Sequence, residues 1–181
     1  MTIAIRSAVP KDAAAVAGIY AHHVLYGTAT YELVPPSEVD FETRIGAITE
    51  RGWPFLVACE GQDVAGYAYA TQFRDRPAYA YACENGIYVA HDRRGLGVGR
   101  LLLTALLAAA EDYGFRQMVA VIGGAEPASI ALHRACGFGE VGRMPGMGWK
   151  ANRWLESVYM QIALGGGIAT PPSARVREDR A

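Results

Sequence analysis

The feature that most constrains this chain is a glycine-rich turn, Arg94-Gly95-Leu96-Gly97-Val98-Gly99. It lies between an apolar run ending at Val89 and a stretch carrying Leu101, Leu102, Leu103, Leu106 and Leu107. A strand that feeds such a turn into a helix makes an anion site. The first N–H groups of a helix lack internal partners, and the helix dipole adds about half a positive charge there. Glycine at 95, 97 and 99 lets a pyrophosphate come close to the backbone, and Arg94 or Arg100 can add charge. A Walker A loop would end in Gly-Lys-[Ser/Thr], which this chain lacks. The dinucleotide fingerprint G-x-G-x-x-G also fails. Counted from Gly95 its last glycine would be Arg100, and counted from Gly97 it would be Leu102. The spacing that fits is [Gln/Arg]-x-x-Gly-x-[Gly/Ala], met by Arg94, Gly97 and Gly99.

Residues 2–7 alternate apolar and polar, as a half-buried strand does. Pro10-Lys11-Asp12 offers a turn and a cap, and residues 13–25 read as a helix. A loop over 27–36 ends in two prolines. Ser37, with Asp40 at the capping-box position, starts a second helix running to about Glu50. Strands are expected at 55–59, 64–72 and 79–89, the first two joined by a turn at 60–63. The helix after the glycine turn runs to Tyr113, is closed by Gly114, and is apolar nearly all round, so it should be buried. Residues 118–122 form a continuous apolar strand. Pro127 opens a helix closed by Gly137. Two last strands fall near 140–144 and 155–163. The order predicts one mixed α/β domain around a single sheet, over residues 1–164. From Gly165 on, glycines, prolines and charges show no apolar period, and 165–181 is expected to be a disordered tail.

Composition excludes more than it identifies. The chain has 181 residues, 51% hydrophobic and 19% charged, which suits one domain with a full core. A net charge of −1 gives no basic surface for nucleic acid or an acidic membrane. Cys59, Cys83 and Cys136 form no C-x-x-C pair, so a zinc knuckle or redox dithiol is not expected. A charge at Arg6 interrupts the N-terminus before a leader could build, and no apolar run approaches the about 20 residues of a membrane helix. A cytoplasmic protein is expected. His22 and His23 are adjacent on a helix and point to different faces, and no metal is expected.

With the loop placed after three strands, the chain resembles the GNAT superfamily of acetyltransferases. A second stretch, residues 128–138 (Ala-Ser-Ile-Ala-Leu-His-Arg-Ala-Cys-Gly-Phe), resembles that superfamily's helix and Gly-Phe stop. Further stretches narrow the resemblance to the phosphinothricin and methionine sulfone or sulfoximine acetyltransferases. They include Gly66-Tyr67-Ala68-Tyr69, residues 73–79, Glu84, Ile87-Tyr88-Val89, residues 118–122, Gly148-Trp149-Lys150 with Trp154, and Met160-Gln161. The resemblance covers about residues 3–164. It implies a GNAT fold, a mostly antiparallel twisted sheet of about seven strands flanked by about four helices. It also implies acetyl-CoA as co-substrate, a small amino acid or analogue acetylated on its α-amine, and a homodimer. Two departures stand out: Asn85-Gly86 follows Glu84 where the family often has Ser or His and then Ser, and Glu126 stands where many relatives have a cofactor-contacting Asn.

The resemblance implies roles. Glu84 would take a proton from the attacking amine, directly or through water; read alone, without the resemblance, it is more simply a buried or edge ion-pair partner. His133 stands where many superfamily members carry a Tyr as presumed acid. It could protonate the leaving thiolate or be a helix histidine bonded near the cofactor. Cofactor contacts fall on Ile87, Tyr88, Val89, Arg94, Gly95, Leu96, Gly97, Val98, Gly99, Arg100, Glu126, Ser129 and His133. The backbone at 87–89 would supply a donor to the carbonyl oxygen as charge develops there. Arg74, Arg76 and Lys150 could bind an acidic substrate or be ordinary surface residues. Tyr31, Tyr79, Trp149 and Trp154 could wall the pocket or serve as core. Two other functions stay open: acetylation of a different amine (a protein N-terminus, a polyamine or a drug), and a non-catalytic acetyl-CoA-binding regulator.

Overall fold

The computed structural model describes residues 2–172. Its elements follow the order that the sequence predicts: β1 (Ile3–Ser7), α1 (Ala13–Tyr26), α2 (Glu38–Glu50), β2 (Phe55–Glu60), β3 (Asp63–Gln72), β4 (Ala82–Val89), α3 (Val98–Tyr113), β5 (Gln117–Gly123), α4 (Pro127–Ala135), β6 (Gly139–Lys150) and β7 (Arg153–Ala163). The seven strands form one sheet in the order β1-β2-β3-β4-β5-β7-β6. Every neighbouring pair is antiparallel except β4 and β5. The mixed α/β architecture and the mostly antiparallel sheet are therefore as expected.

Local chemistry explains the element ends. Ser37 Oγ accepts from Asp40 N at 3.2 Å, and Asp40 Oδ2 accepts from Ser37 N at 2.8 Å, so a reciprocal box starts α2. Gly114 closes α3 at φ +111°, a conformation costly for other residues. Phe55, Tyr67 and Tyr88 stack across β2, β3 and β4, with Tyr20 of α1 and Phe41 of α2 packed edge-on against them. These contacts put α1 and α2 on one face of the sheet. On the other face, α3 buries Val98, Leu102, Leu103, Leu106 and Ala110, and α4 packs beside its first turn.

Three expectations change. The strand expected from Tyr79 begins at Ala82, because Pro77–Tyr79 forms a 3-10 turn. Helix α3 is two-faced rather than buried all round: Leu101 is 47% exposed while Leu102 and Leu103 are fully buried. β6 is much longer than 140–144. Its second half contains Pro145, Gly146 and Gly148, which read as breakers, and the ladder does shift register between Met144 and Gly148 before pairing resumes. The hairpin to β7 then turns through Ala151 and Asn152, both with positive φ. Two such residues suit the twist of a two-residue hairpin, but an alanine there gives no sequence signal.

The tail expected from Gly165 lies largely outside the described residues. Of its first part, Gly167 O and Thr170 accept hydrogen bonds from the Arg116 guanidinium. Among the described residues no helix is long and apolar enough to cross a membrane.

Candidate active site

The site begins where the sheet opens. β4 and β5 pair from Ala82–Gln117 to Asn85–Ala120 and no further. Beyond that point β4 keeps its ladder with β3 through Val89, and β5 keeps its ladder with β7 through Gly123. The two strands diverge, so residues 86–89 present a backbone edge with no ladder partner on the β5 side. Ile87, Tyr88 and Val89, expected to meet the cofactor, form this edge. The Tyr88 ring itself packs between Tyr20 and Tyr67, at centroid distances of 4.8 and 5.2 Å.

The glycine turn closes the wide end of this gap. Gly95 and Gly97 adopt φ of +74° and +83°, and Gly97 caps the N-terminus of α3. Gly99 serves differently: a Cβ there would stand 3.2 Å from Leu132 and 3.6 Å from Val89, so its bareness lets α3 pack onto α4 and β4. Val98 is buried and Leu96 is exposed. The two arginines do not line the turn symmetrically. Arg94 Nη2 lies 3.4 Å from His23 Nδ1, while His23 Nε2 lies 3.0 Å from Val89 O. Arg100 borders a shallow apolar hollow on the outer face of α3 with Leu101 and Thr104. Left-handed glycines, unpaired helix N–H groups and the open strand edge together fit the pyrophosphate and extended arm of acetyl-CoA.

Alternation along β4 sorts the side chains beside the gap. Glu84, Gly86 and Tyr88 face α1 and α2; Asn85, Ile87 and Val89 face α3 and α4. Glu84 is half-buried, and burial raises its carboxyl above the usual range, with the Arg74 charge opposing. Arg74 is exposed and folds over the Phe73 ring at 4.2 Å. Arg76 is exposed too, and its carbonyl accepts from Gln72 Nε2 at 3.1 Å. Tyr79 meets Phe73 edge-on at 6.0 Å. The loop between β3 and β4 is thus a rim beside Glu84. Tyr69 lies directly opposite Gly86 in the ladder, and burial pushes its phenol up to about 12.

A strap covers the same face. Residues 27–36 link α1 to α2 and are pinned at their centre. Thr30 Oγ1 and Tyr20 OH share a 2.7 Å hydrogen bond, and Lys150 Nζ donates to Thr30 O at 2.9 Å. Tyr31 OH donates to Glu156 O at 3.1 Å and lies 2.9 Å from Ser157 Oγ. Lys150 is only 9% exposed, and burial lowers its ammonium pKa. Lys150 and Tyr31, expected at the substrate, are engaged in holding the strap. On α2, Arg44 stacks over Phe41 at 4.8 Å and lies 3.7 Å from Glu32 of the strap.

On the opposite face, α4 places His133 at the closed end of the gap. His133 is 1% exposed; its Nδ1 lies 2.8 Å from Ser129 O and its Nε2 lies 3.1 Å from Asn85 Nδ2. Burial lowers the imidazole pKa, with the Ser129 hydrogen bond opposing. Glu126 is the residue before α4; its side chain makes no capping bond, and its carbonyl accepts from Ile130 N at 3.0 Å. Asn85, Tyr69, Thr30 and Arg44 were not singled out as site residues from sequence. For Asn85 and Tyr69 the signal was available in the strand alternation around Glu84; for Thr30 and Arg44 there was none. Among the described residues no group of three His, Cys, Asp or Glu side chains could hold a metal ion.

Residues 19–138 match the model of the acetyltransferase (GNAT) family. The chain is 43% identical over 162 residues to the phosphinothricin N-acetyltransferase of Alcaligenes faecalis, covering 89% of this chain and 82% of the relative. It is 36% identical over 165 residues to an L-methionine sulfoximine/L-methionine sulfone acetyltransferase of Pseudomonas paraeruginosa, covering 91% and 96%. Among solved structures, a GNAT superfamily phosphinothricin acetyltransferase from Sinorhizobium meliloti in complex with acetyl-CoA superposes with a TM-score of 0.95. It is 47% identical, over 99% of this chain and 98% of that one.

Proposed function

Because this chain belongs to the GNAT acetyltransferase family and is an acetyl-CoA-dependent N-acetyltransferase, we propose that it acetylates the α-amine of a small amino acid or analogue of the phosphinothricin or methionine sulfone type. The observation that carries this reading is the position of Glu84. It is the last side chain facing α1 and α2 before β4 and β5 part, beneath a strap and beside an arginine-bearing rim. Bound acetyl-CoA supplies an activated acetyl group on a thiol leaving group.

An amino-acid α-amine is mostly protonated at neutral pH, so it needs a base before it can attack. Glu84 serves as that base, directly or through water. Its raised pKa brings it nearer to the amine's own. Arg74, and Arg76 on the same rim, offer forked donors to an acidic group of the substrate. The backbone at 86–89 and the turn at 94–99 hold the co-substrate, with Glu126 and Ser129 at the start of α4 bordering it. Tyr31 and Lys150 act by fixing the strap.

The test is release of free thiol from acetyl-CoA against a panel of amino acids, phosphinothricin, methionine sulfone, polyamines and an N-terminal peptide. Turnover confined to polyamines or peptides would remove the small-amino-acid reading. Binding of acetyl-CoA without turnover on any amine of the panel would also remove the small-amino-acid reading.

The same reading includes a homodimer in the cytoplasm. β6 is an edge strand, and Val141, Met144, Met147 and Trp149 on it, with Trp154 on β7, are exposed apolar side chains. Such a patch favours burial against a second copy. Sedimentation of the protein and of Trp149→Glu checks it, and a monomeric parent would end the idea. Cell fractionation checks the location.

A further inference from the structure

Asn85 and His133 form a unit whose protons can be assigned from their partners. Ser129 O is a carbonyl and can only accept, so His133 Nδ1 carries a proton. Burial, with the Phe138 ring edge-on at 4.9 Å, lowers the imidazole pKa and favours its neutral form. Nε2 is then a bare lone pair, and Asn85 turns its NH2 towards it at 3.1 Å. A histidine held this way has no proton at Nε2 to give. The second N–H of the same Asn85 amide has no other protein partner among the described residues.

Asn85 also occupies a singular place. It is the last residue of β4 paired to β5, opposite the small, buried Ala120. Its side chain lies on the face opposite to that of Glu84, one residue away. From Val89 to Asn85 the open edge spans roughly 13 Å at about 3.3 Å per residue. A ligand anchored by its pyrophosphate at the glycine turn and laid along this edge would run towards Asn85, where the strands close again.

We propose that Asn85 is the hydrogen-bond donor to the departing thiolate, that His133 is the residue positioning Asn85, and that no side chain protonates the sulfur. This rests on the acetyl-CoA reading but not on the identity of the amine. The ammonium first gives one proton through Glu84 to water; the freed amine nitrogen then forms a bond to the acetyl carbon and releases a second proton by the same route. The C–S bond breaks with its electron pair left on sulfur, which departs as an anion and is protonated by solvent. Stabilising charge where it develops is the general use of such fixed donors.

The test reads the thiol of bound CoA directly, by the ultraviolet absorbance of its thiolate as pH is raised. In the parent protein, bound CoA should ionise at lower pH than free CoA. Asn85→Ala should reverse that shift by about one pH unit, and Asn85→Asp, which keeps the shape but loses the donor, by at least as much. With any accepted amine, Asn85→Ala should lower kcat about a hundredfold with the KM for acetyl-CoA within about twofold. His133→Gln keeps an acceptor for Asn85 and should retain more activity than His133→Leu. The Asn85→Ala/His133→Leu pair should be no worse than Asn85→Ala alone. Parent-like thiol ionisation in both folded Asn85 variants that still bind CoA would overturn the proposal. Additive losses, with His133→Gln as poor as His133→Leu, would overturn it in favour of an acid role for His133. Failure of the parent to bind CoA would instead overturn the acetyl-CoA reading beneath it.

Discussion

The Tyr69 ring lies across β4 at Gly86. A Cβ added at Gly86 would stand 2.5 Å from Tyr69 Cζ and 2.8 Å from its hydroxyl oxygen, closer than real side chains approach. The two residues are direct ladder partners on the face that also carries Glu84 and Tyr88. The side chain that Gly86 lacks is the space the Tyr69 ring uses. A bulky ring beside the proposed base bounds the room left for an amine substrate.

Tyr69 also stacks on Phe55 with ring centroids 5.3 Å apart, and Gly86→Ala should displace it from there. The expected cost is about 1–3 kcal/mol of stability, with a rise in KM for the amine larger than any change in KM for acetyl-CoA. Combining it with Tyr69→Val should recover stability, because the clash disappears. Calorimetry and steady-state kinetics on the two single variants and the pair check this; an additive double variant would mean that the ring does not sense Gly86.

Glu84 and Arg74 set a pH dependence whose sign can be worked out. A base must be ionised, so activity rises with pH through the Glu84 pKa, which burial holds above the usual carboxylate range and the Arg74 charge pulls down. Arg74→Gln removes that pull, so the acidic limb of kcat should move to higher pH. Glu84→Gln should lower kcat by about 10²–10⁴ while acetyl-CoA still binds. An unmoved limb in Arg74→Gln, or full activity in Glu84→Gln, would count against these roles.

Lys150 tests the strap. Lys150→Met keeps the stem but leaves Thr30 O without its ammonium donor. A hydrogen bond to a charged group contributes about 1.5–3 kcal/mol, so residues 27–36 should be cut faster by a protease. A fall of about tenfold in kcat/KM for the amine is expected. Unchanged proteolysis would show that Tyr31 and Thr30 hold the strap without Lys150.

Tyr67 offers a stability prediction away from the chemistry. Its ring is fully buried and, among the described residues, its hydroxyl has no hydrogen-bond partner. Leaving a buried hydroxyl unpaired costs about 1–3 kcal/mol, so Tyr67→Phe should raise Tm by roughly 2–4 °C for each kcal/mol recovered. A lower Tm would mean that the hydroxyl has a partner in solution.

Periodicity and punctuation in the sequence determined the element order. They also located the glycine turn ahead of α3, because these signals are local: a capping box within four residues, a left-handed glycine, an apolar run. Local signals failed where tertiary pairing overrides them. β6 runs through Pro145 and Gly146 because β7 supplies a ladder on both sides of the bulge, and α3 exposes Leu101 because only one of its faces meets the sheet. The site divides in the same way. Glu84 and the turn at 94–99 could be read from order and resemblance, since each lies on one short segment. Lys150 on Thr30, Arg94 on His23 and Asn85 on His133 join residues separated by 120, 71 and 48 positions. Such pairs exist only once the sheet has brought its strands together and then let β4 and β5 part, so only the tertiary structure decided which side chains face the gap and which are spent holding its walls.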